Sequence, residues 1–375
     1  MILMVSCDRS VPSFLGTVNC RPARNCADVG AMDVRLAVMK NVHLVIPDLF
    51  LPQEIAADVC AGLSLPALQK MLAQAQLQPL PPDTLEAWLC ETFGVAEQAV
   101  APVTLRADGI APDAAYWLRA DPVHLRLQRD QLVMQPQLPL VSDEAAQLCA
   151  SLNAHFSDTG LSFFAPDAQR WYLRLDSAPE ITTSPIAQVT GRNVHAYLPQ
   201  GPDALRWHGI FNEIQMLFFE HAVNQAREAR GELPINSVWL WGGGRAPEKL
   251  LRPFVSVYGD SPLALALAQT TGLPVAALQA DAARFVARDE GDVLVVWEGL
   301  RDALQQGDLH AWRNELQRFE SSCAAPLLAA LSAGRISQLT LEIPHGVSSR
   351  RLVLTRAALW KLWRRSKPLA RLIGG

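Results

Sequence analysis

The longest regular pattern of apolar and polar positions lies between Asn212 and Arg245, and it predicts a helix followed by a strand. From Asn212 to Ala229, apolar residues return at helical spacing with polar residues between them. These apolar positions are Ile214, Leu217, Phe218, Ala222 and Ala226. Arg230 and Gly231 are expected to end the helix, and the segment Ile235 to Trp241 is typical of a short buried strand.

A glycine cluster follows this strand and predicts a loop where the strand ends. The glycines are Gly242, Gly243 and Gly244, and the nearby cations are Arg227, Arg230 and Arg245. A glycine-rich loop lets backbone N–H groups approach an anion closely, and the arginines would supply positive charge. The alternative is a tight turn without a ligand, because glycine readily adopts positive φ.

Other segments predict an α/β core. Asn41–Asp48 and Asp292–Trp297 have the continuous apolar character of buried strands. Leu65–Leu77 is predicted to be a helix with Ser64 as its N-cap, and Glu86–Phe93 a second, shorter helix.

Between residues 107 and 200 the pattern changes to short strands around one helix, which predicts a smaller inserted α+β domain. The strands are Tyr116–Leu118, Val123–Leu127, Gln131–Met134 and Arg170–Leu175, and the helix is Asp143–Phe156. Residues 41–106 and 201–349 would then form the two parts of the core domain. Arg119 lies at a strand end and is a candidate for contacting a charged ligand, whereas Arg129 is better explained as a solvated strand edge.

Composition narrows the class of protein. Half of the 375 residues are hydrophobic and 19% are charged, as in ordinary globular α/β proteins. The net charge of −4 gives no global basic field for nucleic acid, and no uncharged apolar run reaches the ~18 residues of a membrane span. Seven cysteines without C-x-x-C spacing argue against a disulfide framework or a zinc ribbon, so a cytoplasmic location is predicted.

The two ends of the chain differ from the rest. Residues 1–40 lack periodicity and are predicted to be a disordered extension, with Met39 as an alternative functional start. Residues 350–375 carry eight Lys or Arg and no Asp or Glu, together with Trp360 and Trp363. This basic tail predicts contact with an anionic membrane surface, RNA or a protein, or else a terminal helix docked on the core.

An ordered set of residues across the glycine segment resembles a known family. It comprises Asn212-Glu213, His221-Ala222-Val223-Asn224, Arg227, Gly231, Pro234, Asn236 and Trp241-Gly242-Gly243-Gly244. This order resembles the archaeal-type, cofactor-independent phosphoglycerate mutases of the alkaline phosphatase superfamily, with coarser similarity over residues 41–345. The resemblance implies a mostly parallel α/β core flanked by helices, a smaller inserted domain, and a two-metal site. It also implies a serine nucleophile that moves a phosphoryl group between the hydroxyls of a glycerate.

The resemblance further implies specific site residues. The candidate ligands of Mn²⁺, Mg²⁺ or Zn²⁺ are Asp48, Asp302, Asp308, His310 and His345. The candidates for binding a small phosphorylated metabolite are Arg119, Asn224, Arg227, Arg230, Asn236, Gly242, Gly243, Gly244 and Arg245. Thr84 is the hydroxyl nearest to the position of the family's serine and is the candidate nucleophile.

The chain departs from the family at several of these positions. Trp297-Glu298 stands where a histidine ends a late strand, and Pro344 replaces the aspartate of an Asp-His pair. Neither Trp nor Pro can replace a metal ligand. Two hypotheses remain: a metal-dependent phosphotransferase with a rebuilt centre, or a non-catalytic protein of the same fold that binds a phosphorylated metabolite or a protein partner.

Overall fold

The computed structural model describes residues 40–135, 138–278, 291–346, 348–360 and 368–373. The predicted N-terminal extension lies outside the described residues except for Lys40, as does Trp363 of the basic tail. None of the helices in these ranges has both the length and the apolar character needed to cross a bilayer.

A mostly parallel sheet of seven strands forms the core of the described chain. In the order in which they lie side by side, its strands are β2 (Gln76–Leu80), β12 (Ser349–Thr355), β11 (Gln338–Ile343), β1 (Asn41–Val45), β10 (Val293–Val296), β8 (Ser256–Gly259) and β9 (Val275–Ala276). Strand β1 pairs in parallel with β10 and β11, and β8 pairs in parallel with β10 and β9. Strand β12 is antiparallel to both β11 and β2. The predicted α/β class with a mostly parallel core is confirmed.

The second sheet is antiparallel and has five strands among the described residues. They are β3 (Tyr116–Gln128), β4 (Gln131–Gln135), β5 (Leu161–Phe164), β6 (Tyr172–Leu175) and β7 (Ser237–Gly244). The long strand β3 pairs with β4, β6 and β7. Because β7 joins this sheet, the smaller layer uses chain beyond residue 200, where the sequence predicts a return to the core.

Helices pack on the two sheets. They are α1 (Gln53–Val59), α2 (Pro66–Gln74), α3 (Leu85–Phe93), α4 (Val100–Ala107), α5 (Ser142–His155), α6 (Ile186–Val189), α7 (Ala204–Phe219), α8 (Ala222–Ala229), α9 (Pro262–Thr271), α10 (Gly299–Gln305), α11 (Leu309–Phe319), α12 (Ala325–Ser332) and α13 (Leu369–Ile373). A π-helical turn, Glu320–Ala324, joins α11 to α12, and 3₁₀ turns occur at Ala96–Gln98, Val194–Tyr197 and Arg356–Trp360.

Alternating side chains of the core strands enter two different hydrophobic clusters. Val293 and Val295 of β10 pack in one cluster, whereas Leu294 and Val296 pack in the other. Successive strand residues point to opposite faces, so helices cover both faces of this sheet. This explains why β10 is a continuous apolar run rather than an alternating one.

Strand β7 of the second sheet also has alternating side chains in two different hydrophobic clusters. Its residues Val238 and Leu240 pack in a third cluster with helices α5 and α7, whereas Trp239 and Trp241 pack in a cluster that also contains core-sheet residues. One face of the small sheet therefore carries its own helices, and the other faces the core layer.

Several predicted elements are confirmed, namely β1, β4, β10, α3 and α5. Three predictions are wrong in detail. Ser64 does not cap the helix predicted for Leu65–Leu77, because the N-cap of α2 is Leu65, which provides no side-chain hydrogen bond. The single helix predicted for Asn212–Ala229 is two helices, because His221 caps a new helix, accepting a hydrogen bond from the backbone N–H of Val223 at 3.2 Å. The two short strands predicted between Tyr116 and Leu127 are one strand of 13 residues.

The interpretation of the glycine cluster as a loop is also wrong, because Gly242–Gly244 lie inside β7. A Cβ atom at Gly242 would lie 2.9 Å from Cβ of Val100, and its φ is +61°. A Cβ atom at Gly243 would lie 2.6 Å from Cδ2 of Leu118. The glycines thus allow close packing of β7 against its neighbours, which is a structural reason for their presence.

The basic tail begins within the core. Arg350 to Thr355 belong to β12, and the backbone N–H of Leu51 donates to the carbonyl of Ile373 at 3.0 Å. Leu369 and Ile373 of α13 are buried in the core cluster. The described part of the tail therefore fits a docked terminal segment. Its contact with a membrane surface, RNA or a protein stays a prediction.

Candidate functional site

Acidic and polar residues follow four neighbouring strands of the core sheet. Asp48 comes after β1, Asp260 after β8, Glu298 after β10 and His345 after β11. These strands are parallel, so their carboxyl ends meet at one edge, which is where open α/β sheets bind ligands. Two adjoining cavities lie at this edge.

A guanidinium group occupies the centre of this edge. Arg301, on α10, donates from Nε to Asp48 at 3.2 Å and from Nη1 to Glu86 at 2.7 Å. The same Nη1 lies 2.9 Å from a carboxylate oxygen of Glu298. Burial acts to lower the pKa of Arg301, but the carboxylates of Glu86, Glu298 and Asp48 outweigh it and raise the pKa. The group is a permanent cation shared by three acids.

Glu298 titrates far from its ordinary range. Burial raises the pKa of Glu298 to about 7, against the lowering effect of Arg301, and the negative charge of Glu86 raises it further. The backbone N–H of Glu298 donates to Asp260 at 3.4 Å, and its side chain is hydrogen-bonded to Ser261. This carboxyl group is therefore able to exchange a proton near neutral pH.

The inner cavity, of about 420 Å³, extends from this cluster to the second sheet. Glu86, Asp260, Glu298 and Arg301 line it together with apolar side chains. Arg119 also lines it, but its charge is compensated.

The charge of Arg119 is compensated by Asp121, which lies on the same strand. Nη2 of Arg119 lies 2.6 Å from Asp121, and both side chains are 7% exposed. The guanidinium carbon stacks 5.3 Å from the ring centroids of Tyr172 and Trp241. The indole N–H of Trp241 also donates to Asp121 at 2.7 Å. Arg119 and Asp121 thus add no net charge to the cavity.

The outer cavity, of about 890 Å³, carries different charges. Arg126 and Arg192 line it and are both exposed, and Asp48 and Asp302 line it as well. Thr190, Asp302 and Gln305 line both cavities, so the two form one cleft between the sheets.

The five predicted metal ligands do not assemble into one cluster. Asp48 contacts Arg301, and Asp302 lies next to that arginine on α10. Asp308 caps α11, accepting a hydrogen bond from the backbone N–H of Ala311 at 2.8 Å. His310 is exposed on the same helix. His345 packs edge-on against Phe50, and burial lowers the pKa of its ring.

These positions do not fit the two-metal centre that the resemblance implies. Across the described ranges, no group of three or more His, Cys, Asp or Glu side chains is placed to hold a metal ion. The carboxylates that do converge surround Arg301, which already supplies the positive charge.

Thr84, the candidate nucleophile, has a structural role. It caps α3, where its Oγ1 accepts a hydrogen bond from the backbone N–H of Ala87 at 3.1 Å. It does not line either cavity of the cleft. Two residues further on, Glu86 does.

The predicted phosphate-binding residues of α8 hold this helix in place. Asn224 donates to the carbonyls of Phe218 and Ile235, at 2.7 Å each. Arg227 is fully buried and donates to Glu144 at 2.7 Å, and Arg230 donates to the same carboxylate at 2.5 Å. These contacts compensate the arginine charges within the smaller layer, while Nη2 of Arg227 has no hydrogen-bond partner among the described residues.

The remaining candidates lie on or next to β7. The side chain of Asn236 accepts from the backbone N–H of Leu125 at 2.7 Å and donates to its carbonyl at 2.8 Å. Arg245 is exposed and donates to the carbonyl of Ala114. Gly242, Gly243 and Gly244 pack closely, as described above.

Sequence reasoning missed four residues of the charged cluster: Glu86, Asp260, Glu298 and Arg301. Asp260 follows a short strand, as Asp48 does, which is a signal that could have been used. Glu298 and Arg301 are three residues apart at the start of a helix, where such pairs lie side by side. Nothing in the sequence pairs Glu86 with Arg301, since 215 residues separate them.

The fold and cleft define an α/β protein with a mostly parallel sheet, and similarity to known proteins adds a family context. No family model matches the chain. It is 25% identical over 209 residues to the 2,3-bisphosphoglycerate-independent phosphoglycerate mutase of Methanosarcina barkeri, covering 50% of this chain and 52% of that one. The corresponding protein of Methanosarcina acetivorans is 24% identical over 225 residues, covering 54% and 56%. The chain thus matches only about half the length of these curated relatives.

A solved cofactor-independent phosphoglycerate mutase from Thermoplasma acidophilum also resembles the chain. The two superpose with a TM-score of 0.45 and 13% identity, over 90% of this chain and 95% of that one.

Proposed function

We propose that this phosphoglycerate mutase-like protein binds a small phosphorylated metabolite in the cleft between its two sheets, without metal-dependent phosphoryl transfer. The observation that carries the proposal is the position of Arg301, whose guanidinium contacts Asp48, Glu86 and Glu298. This is the alternative in which the fold is retained and the metal chemistry is lost.

Arg301 competes directly with a divalent cation. Two-metal phosphoryl transfer uses cations ~3.5–4 Å apart, held by carboxylate and imidazole groups with free lone pairs. Here the converging carboxylates accept hydrogen bonds from a cation that cannot lose its charge at neutral pH. A metal ion at the same place would meet both the positive charge and the volume of the guanidinium.

The cations of the outer cavity favour a phosphorylated ligand. Arg126 and Arg192 are exposed on its wall, and a guanidinium presents planar donors that match phosphate oxygens. Arg192 is oriented by a 3.0 Å hydrogen bond to the hydroxyl of Tyr197. The names of the similar proteins point to phosphoglycerate as their substrate, which supports a ligand of this class here.

The test uses the full chain with two readouts. Conversion of 3-phosphoglycerate to 2-phosphoglycerate is assayed with Mn²⁺, Mg²⁺ or Zn²⁺, and bound metal is quantified. Binding of 3-phosphoglycerate and glycerol 3-phosphate is measured by calorimetry. We expect no turnover, no stoichiometric metal, and binding of at least one of the two phosphorylated compounds.

Matched variants locate the binding. Arg192→Gln should weaken binding, whereas Arg206→Gln, which changes an exposed arginine of α7 outside the cleft, should not. Metal-dependent turnover that is lost in Asp48→Ala would overturn the proposal.

A further inference from the structure

We propose that the inner cavity accepts a neutral, hydroxyl-bearing end of the ligand and rejects a carboxylate, so that the preferred ligand is a phosphorylated polyol. This inference rests on the proposed function, because it concerns the part of the ligand that lies beyond the phosphate. It separates the ligand of this protein from a phosphorylated carboxylic acid such as phosphoglycerate.

The wall of the inner cavity carries several acidic side chains. Glu86, Asp260 and Glu298 line the cavity, and Arg301 is the cation that contacts two of them. Arg301 also contacts Asp48 from the outer side, so it cannot neutralise the whole group. A ligand carboxylate would bring a further negative charge into a site screened poorly by water.

The other cations on this wall do not offset the acids, as far as the described residues show. Arg119 is held by Asp121 at 2.6 Å. Arg170, which also lines the cavity, donates to Asp108 at 2.8 Å and lies 3.2 Å from Asp167. Both arginines are thus already paired with acids of their own.

The acids on the wall indicate what the cavity does accept, because carboxylate oxygens take hydrogen bonds from hydroxyl groups. Oε1 of Glu86 accepts from Arg301, whereas the buried Oε2 has no hydrogen-bond partner within the described part of the chain. The Glu86 side chain is 9% exposed. This oxygen is closed to solvent, so it keeps negative charge at the wall that no donor among the described residues offsets, which strengthens the rejection of a ligand carboxylate.

Apolar side chains complete the wall and fit the carbon skeleton of a polyol. Leu85, Pro122, Ile186 and Trp241 line the same cavity. The arrangement combines apolar contact surface with a few acceptors, as small-molecule sites commonly do.

Two probes isolate the group that enters the inner cavity. Glycerol 3-phosphate and 3-phosphoglycerate share the phosphate and the central hydroxyl, and they differ in a hydroxymethyl group against a carboxylate. In calorimetry at a pH above neutrality, we expect glycerol 3-phosphate to bind at least about tenfold more tightly than 3-phosphoglycerate. This is a difference of about one unit in log Kd. Equal or tighter binding of 3-phosphoglycerate would overturn the inference while leaving the proposed function intact. Binding of neither compound would overturn both.

Variants of the wall test the cause of the discrimination. Glu86→Gln removes a negative charge and should narrow the difference between the two ligands, whereas Glu91→Gln, on the exposed side of the same helix, should leave it unchanged. Because Glu86 pairs with Arg301, Asp260→Asn provides a second variant that keeps this pair. A preference for glycerol 3-phosphate that persists unchanged in both folded variants would show that wall charge is not its origin, and would overturn the inference.

Discussion

The carboxylate of Glu86 and the guanidinium of Arg301 lie 2.7 Å apart and join helix α3 to helix α10. These helices follow different strands, and the pair fixes them at the edge of the sheet where the cleft opens. A buried ion pair of this kind contributes to the position of its groups at least as much as to net stability.

Loss of Arg301 should leave three carboxylates without their shared cation. We expect Arg301→Ala to lower the free energy of unfolding by about 3–5 kcal/mol, because an uncompensated buried charge is costly. Mn²⁺ should restore part of this loss in the variant and leave the wild type unchanged, since carboxylates accept divalent cations once the guanidinium is gone. Urea denaturation with and without Mn²⁺ measures both effects.

The control is Arg318→Ala. Arg318 is 59% exposed and pairs with Glu315 on one helix, so its loss should cost less than about 1 kcal/mol. An Arg301→Ala variant that Mn²⁺ does not stabilise would contradict the view that the guanidinium takes the place of a metal.

Glu298 should make stability fall as pH rises. Its folded pKa of about 7 exceeds the value of ~4.5 expected in the unfolded chain. Its contribution is therefore fully present below about pH 4.5 and is lost as pH rises through about 7. Between about pH 6 and 8, the ionisation of this group alone should lower the free energy of unfolding by about 1 kcal/mol.

Urea denaturation across this pH range tests the prediction. The slope of the free energy of unfolding against pH should flatten in Glu298→Gln. It should persist in Glu228→Gln, which changes an exposed carboxylate of α8. An identical slope in wild type and Glu298→Gln would mean that this carboxyl is ionised throughout.

Glu320 should stabilise helix α2 from a distant part of the chain. Its two carboxylate oxygens accept from the backbone N–H groups of Ala67 at 2.6 Å and Leu68 at 2.9 Å. The N-cap residue of that helix, Leu65, provides no side-chain hydrogen bond. Glu320→Ala should cost about 2–3 kcal/mol, because two buried donors lose a charged acceptor.

Thermal unfolding measures this loss against Ser321→Ala. Ser321 is exposed in the same π-helical turn, so its replacement should change stability by less than about 0.5 kcal/mol. Equal melting temperatures for the two variants would rule out the capping role of Glu320.

Gly242 should tolerate alanine poorly. The added Cβ would lie 2.9 Å from Val100, at a φ of +61° that favours glycine. We expect Gly242→Ala to destabilise the protein by about 1–3 kcal/mol, which chemical denaturation measures.

Gly209→Ala is the matched control for this substitution. Gly209 lies within α7, and among the described residues no atom outside its own helix backbone comes within 4 Å of an added Cβ. The change should stabilise the protein by about 0.5–1 kcal/mol, because alanine favours a helix more than glycine does. Equal effects of the two substitutions would exclude a packing role for Gly242.

The sequence predicts helices and strands best where the local pattern of residues agrees with the tertiary environment. The continuous apolar run of β10 and the amphipathic helix α5 are both found within one or two residues of their predicted bounds. The sequence predicts two strands in place of β3, because Asp121-Pro122 normally interrupts a strand. In the structure Asp121 is buried and bonded to Arg119, so the interruption disappears.

The candidate site is harder to predict because its contacts join distant positions. Asp48 is evident from its strand, but its partner Arg301 lies 253 residues away. The arginines of α8 suggest a phosphate site from charge alone, whereas Glu144, a residue of a different helix, takes up that charge. Charge in a sequence does not reveal which acid will neutralise it.

Because strand β7 packs in two hydrophobic clusters, the smaller layer depends on chain beyond residue 200. A fragment that ends at residue 200 would lack the strand that pairs with Trp117 to Val123, and β3 would present an open edge to solvent. The same fragment would lack α7 and would lose Val238 and Leu240 from the packing beneath α5. The smaller layer is therefore not an autonomous module that recombination could move into another protein without also carrying the chain through Gly244.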